Sequence, residues 1–127
     1  MNIEPYKSVG VVNLDVQVIE LLELFGMPER KETNHIGLVE YDYGSQIFRF
    51  DSAGILEEIT VDAESIELDG ITIPFSKLPS YIKAEDTGLF ERYGSIISPK
   101  FGLAFNPDHQ SWVTVITKSG IVAWEKI

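Results

Sequence analysis

The side chains of this chain that could do chemistry are nearly all carboxylates: there are 20 acidic residues, 10 basic ones, two histidines and no cysteine. Without cysteine there are no disulfides, no thiolate metal ligands and no thiol nucleophiles. His35 lies in a charged loop and His109 in a turn beside Trp112. Two isolated histidines give no metal-ligand spacing, and turn formers around each make them solvated loop residues. The chain carries no GxSxG, Walker, GxGxxG or HExxH pattern. Two carboxylate pairs have the residue types for acid/base work across strands, Asp42 with Asp51 and Glu57 with Glu58. In so acidic a chain, neighbouring carboxylates are ordinarily only solvated. The expectation is a protein with no catalytic residue, no metal site and no cofactor, and not an enzyme.

The carboxylates that matter sit in Gly37–Asp62, GLVEYDYGSQIFRFDSAGILEEITVD. Leu38–Tyr43, Ile47–Asp51 and Leu56–Asp62 alternate apolar with polar residues, which predicts a three-stranded antiparallel meander with one dry face. Val39, Tyr41, Phe48, Phe50, Ile59 and Val61 form that dry face. Glu40, Asp42, Arg49, Asp51, Glu58, Thr60 and Asp62 share the other, an acidic surface with one arginine in it. A helix over Val16–Phe25, capped by Asp15 and stopped by Gly26 and Pro28, packs on the dry face through Val16, Ile19, Leu22 and Phe25.

Around this centre, Met1–Lys7 reads as a loose polar lead-in and Val9–Leu14 as a short strand. After Gly70–Ile73, Ser76 caps a second helix over Lys77–Ala84, whose first turn tolerates Pro79. Gly94–Ser98, Leu103–Phe105, Trp112–Thr117 and Ile121–Trp124 read as strands separated by turn formers. The order of glycine, strand, capped helix and meander thus occurs twice, over about 9–62 and 69–124, judged from element order. The expected fold is α+β, one compact domain of residues 1–127 built from two tandem helix-on-antiparallel-sheet units.

The stretch VGVVNLDVQVIELLELFGMPER resembles the opening of lipoproteins of the BamE/SmpA type, with Leu24-Phe25-Gly26-Met27-Pro28 at the end of the helix. Doubling such a unit gives a chain similar to the β-lactamase inhibitor protein, and small bacterial proteins of unknown role, some beside toxin genes, look alike. The lipobox cysteine and the repeat disulfides of those families have no counterpart here. The resemblance implies the tandem fold and a habit of binding proteins through a sheet face.

The net charge is −10. That field repels a phosphate backbone, which argues against nucleic acid, and attracts a basic protein; in many acidic proteins the same charge serves solubility alone. The longest apolar run is too short to cross a bilayer. MNIEPYKS has no apolar core or cleavage site of a signal peptide, so the expected location is the cytoplasm. The function expected is a non-enzymatic protein-binding module, an inhibitor or immunity-type protein that neutralises a basic partner. Its binding residues would be Glu40, Asp42, Arg49, Asp51, Glu58 and Asp62, with Trp112 as an aromatic anchor. The alternatives are an assembly adaptor of the BamE-like kind and a small enzyme using surface carboxylates.

Overall fold

The computed structural model describes residues 1–127. The chain enters as β1 (Asn2–Glu4), turns back through β2 (Ser8–Val9) and β3 (Val12–Asn13), and forms helix α1 (Val18–Phe25). A first meander follows: β4 (Arg30–Thr33), β5 (Val39–Asp42), β6 (Gln46–Phe50) and β7 (Leu56–Asp62). A hairpin of β8 (Ser65–Leu68) and β9 (Ile71–Pro74) leads through a 3₁₀ turn, Phe75–Lys77, into α2 (Leu78–Glu85). The second meander is β10 (Phe90–Arg92), β11 (Ser95–Ser98), β12 (Leu103–Phe105) and β13 (Trp112–Ile116), and α3 (Lys118–Lys126) closes the chain. No helix is long and apolar enough to cross a membrane.

The expected pair of tandem helix-on-sheet units is not what forms. The protein is β-rich, with 13 strands in two sheets and three short helices. The reason lies at the ends of the meanders. Both β7 and β13 have apolar residues at alternate positions, and they pair antiparallel with each other, Ile59 opposite Val115 and Val61 opposite Val113. An unpaired strand edge carries unsatisfied backbone groups, so two such edges satisfy each other. The meanders therefore merge into one sheet, β10-β11-β12-β13-β7-β6-β5-β4. The second sheet runs β3-β2-β1-β8-β9, with β1 and β8 parallel, so an all-antiparallel description also fails.

The dry side of the large sheet does form from the alternating residues. Phe48, Phe50, Ile59, Val61, Leu103 and Val115 are buried there. They share one apolar cluster with Ile3, Ile66 and Leu68 of the second sheet, Leu21 of α1, and Leu78 and Ile82 of α2. The supposedly loose lead-in is thus a central strand, whose Ile3 is buried. A single apolar residue gives no alternation to read, and pairing with β8 recruits it.

Helix α1 begins at Val18, with Gln17 as N-cap; the Gln17 backbone N–H donates to the Glu20 carboxylate at 3.0 Å. The inward residue is Leu21, supported by half-buried Val18 and Leu22, while Ile19 is 65% exposed. The expected stripe stepped by three residues, and such a row drifts about 60° per step around a 3.6-residue helix. Val18, Leu21, Leu22 and Phe25 keep the i, i+3, i+4, i+7 spacing that stays on one side.

Ile121–Trp124, read as a strand, lies within α3. A run of four apolar residues does not distinguish helix from strand. Thr117 decides it: its hydroxyl accepts from the Gly120 N–H at 3.1 Å and caps the helix.

Candidate functional site

The second face of the large sheet turns away from the core. Its C-terminal half is roofed by α3, where Ile121 packs on Ile97, Ala104 and Ile116, flanked by Phe90 and Trp124. Its other half, on β4 to β7, carries the charged residues.

A β-bulge sets the geometry between these halves. Arg49 pairs with Glu58 and Phe50 with Leu56, so Glu57 is the extra residue on β7. The bulge breaks the alternation: Leu56 and Ile59 are both buried, and Glu57 and Glu58 between them both turn outward. Thr117 occupies the kink. Its N–H donates to the Glu57 carbonyl at 3.1 Å, and its hydroxyl lies 3.0 Å from the carbonyls of both Leu56 and Glu57. Gly120 follows at such close range that an added Cβ would lie 2.1 Å from the Glu57 carbonyl oxygen. Helix α3 is therefore clamped backbone to backbone onto the bulge.

Beside the bulge, Arg49 bridges two carboxylates on neighbouring strands. Its Nε donates to Glu40 Oε2 at 2.6 Å, and its Nη1 donates to Glu58 Oε2 at 3.1 Å. Nη1 also donates to the Thr60 hydroxyl at 2.6 Å, which leaves the Thr60 proton for Thr114 Oγ1 at 2.9 Å. These three charged side chains are only 13–18% exposed. Burial holds the Glu58 carboxyl above the usual carboxylate range, and the attraction of Arg49 offsets this only in part. Burial likewise pushes the Glu57 carboxyl up; Ser119 opposes the rise and the Asp51 carboxylate adds to it. Oxygen Oε2 of Glu57 is buried and has no hydrogen-bond partner.

Of the residues expected to share this face, Glu40, Arg49, Glu58 and Thr60 are brought into contact. Asp42 stands at the edge of the group, held by Arg30 at 2.9 Å and accepting from the Gly44 N–H at 2.8 Å. Asp62 lies opposite Trp112 and accepts from the Ser111 hydroxyl at 2.6 Å. Asp51 is not on the face: it caps the turn after β6, accepting from the N–H groups of Ala53 and Ile55. It therefore forms no pair with Asp42. Trp112 is half-buried and, with Trp124 and His109, lines a small cavity of about 140 Å³.

A feature missed from the sequence is a groove of about 570 Å³ between α3 and the bulge. Glu57, Glu58 and His35 line it, together with apolar Leu38, Ala123 and Trp124. Ile36, Tyr93 and Ile127 reach it from three separate segments. The pair Glu57-Glu58 between Leu56 and Ile59 is the one signal available in advance, since a break in period-2 alternation marks a bulge.

The elevated Glu57 carboxyl has a testable sign. A raised folded-state value means that ionised Glu57 opposes folding at neutral pH. Glu57→Gln is expected to unfold at higher urea than wild type at pH 7. That advantage should shrink as pH falls through the folded-state value, and vanish below the ordinary glutamate value of 4.5. Paired urea titrations at pH 7 and pH 4 check it; a constant difference between the two proteins at both would refute it.

Compared with family models, with curated proteins and with solved structures, the chain matches none.

Proposed function

We propose that this protein is a non-enzymatic binding module that neutralises a basic protein partner, in the manner of an inhibitor or immunity protein. One observation carries the reading. Register places Glu32, Glu40, Asp42, Glu57, Glu58 and Asp62 on the outer face of β4 to β7, against only Arg30 and Arg49. Carboxylates fixed on a rigid sheet make a directed field that speeds encounter with a cationic surface and disfavours acidic competitors.

The test begins with a pull-down on the purified chain to recover the partner. Association rate is then followed against ionic strength. Asp42 and Glu58 are unsuited to charge reversal, because each is mostly shielded from water against an arginine; Glu32 also meets an arginine, Arg30 at 3.5 Å, but both partners are more than half exposed. Glu32→Lys with Asp62→Lys reverses two exposed charges instead. The double variant is expected to associate roughly tenfold more slowly at low salt, with a shallower salt dependence. Equal rates at low salt would remove the acidic face from the binding reaction.

A further inference from the structure

The groove beside α3 has three properties that together specify an occupant. The first is charge that is incompletely paired. Glu57 Oε2 is buried with no donor, and Glu58 shares its one arginine with Glu40. A buried acceptor left unpaired is costly, and a cationic donor is the group that relieves it best. The second is apolar lining, Leu38, Ala123 and Trp124, in the same groove as those carboxylates. Methylenes of a long side chain fit such a lining, and an indole attracts a cation near its ring. The third is size: about 570 Å³ lies within the range that takes a drug-sized ligand or a short stretch of chain.

The mouth of the groove adds an independent observation. Tyr93 and Gly94 form a two-residue turn between paired Arg92 and Ser95, with φ of 52° and 84°. Such a turn favours Asn, Asp or Gly at its first position, and a tyrosine there is strained. The ring gains nothing from burial in return, since Tyr93 is 86% exposed. Ile36, at 65% exposure, and Ile127, at 54%, also line the groove. An exposed aromatic on a strained backbone and two exposed aliphatics converge on two desolvated carboxylates.

We infer that this groove receives an arginine side chain from a basic protein segment, with its guanidinium against Glu57 and Glu58, its flat face toward Trp124, and the flanking chain under Tyr93. Arginine is chosen over lysine because its planar fork both stacks on an aromatic ring and donates to two carboxylates at once. The inference rests on the reading of the protein as a partner of basic proteins, and names the contact that holds such a complex once charge has steered it together.

Two tryptophans make the test direct, because Trp124 lies in the groove and Trp112 outside it, the two sharing only the small cavity. The full-length ¹⁵N-labelled protein is titrated with acetyl-Gly-Arg-Gly-amide and, in parallel, with the lysine and citrulline analogues. The indole N–H signal of Trp124 is expected to shift saturably with the arginine peptide and to move further than that of Trp112, which meets Trp124 only across the small cavity. Citrulline, the same shape without charge, should produce no saturable shift. Glu57→Gln should weaken the arginine peptide about tenfold, as for loss of one charge-assisted hydrogen bond. Tyr93→Asn should weaken it too, while leaving the rest of the spectrum in place. A silent Trp124, citrulline equal to arginine, or Glu57→Gln binding as tightly as wild type would each overturn the assignment; lysine equal to arginine would overturn the choice of head group. A recovered basic protein that associates in a salt-dependent way with Trp124 silent would sink the groove and leave the binding-module reading standing. Arginine peptide bound in the groove, with association to basic proteins indifferent to salt, would do the reverse.

Discussion

Alanine at position 120 is expected to lift the C-terminal helix off the sheet. A Cβ there would lie 2.1 Å from the Glu57 carbonyl oxygen and 2.9 Å from Ile116 Cγ2. The first neighbour is backbone and cannot swing aside. It is held by the Thr117 N–H and the bulge that exposes it. Relief therefore requires α3 to move, which uncovers Ile97, Ala104, Ile116 and Ile121. The expected loss is at least about 3 kcal/mol, the upper end of overpacking penalties. Helix propensity alone predicts the opposite sign, since alanine is favoured over glycine within a helix by up to about 1 kcal/mol. The denaturation midpoint of Gly120→Ala thus separates the two effects. A variant as stable as wild type would mean that α3 does not sit on β7 as described.

The second large effect is expected at Arg49. In Arg49→Met, Glu40 and Glu58 face each other across the vacated guanidinium, both mostly shielded from water. Removing one member of a buried ion cluster typically costs 3–5 kcal/mol, because the charges left behind are neither solvated nor paired. Their residual exposure places the expected loss near the lower limit, about 3 kcal/mol. The loss should diminish in acid, where the orphaned carboxyls take up protons. Adding Glu40→Gln and Glu58→Gln should restore most of it at pH 7, since no buried charge then remains. Urea denaturation of the single and triple variants decides the matter. A triple variant no more stable than the single one would show that Arg49 acts through packing of its stem.

What could be read from the residues follows the distance over which they act. The strands β5, β6 and β7 were legible because alternation is local and Tyr41, Phe48, Ile59 and Val61 record it clearly. That Glu40, Arg49 and Glu58 share one face was legible for the same reason; their bridging through Arg49 was not. The merger of the two meanders was not, because nothing within β7 specifies β13 as its partner. Asp51 was misplaced by one residue's worth of alternation: the strand ends at Phe50 and the next carboxylate serves the turn. The strand β1 and the helix α3 depend on remote support, from β8 and from the Thr117–Glu57 contact. The groove draws on residues near 36, 57, 93 and 124, so no window of sequence contains it.

The pairing of β7 with β13 also bears on the growing chain. Hairpins within each meander close locally and fast, whereas this junction joins residues about as far apart as 58 and 116. During synthesis β7 is complete while β13 is still to come. Its edge, with Ile59 and Val61 on one side, is then open to any other strand, including the same strand of a neighbouring nascent chain. The opposite side carries Glu57, Glu58 and Asp62. Two copies of β7 laid parallel and in register would stack these like charges on one another, before any α3 exists to cover them. Carboxylates set beside an apolar strand act as gatekeepers against such association. The acids of the outer face thus give the unfinished chain a reason to wait for its own β13.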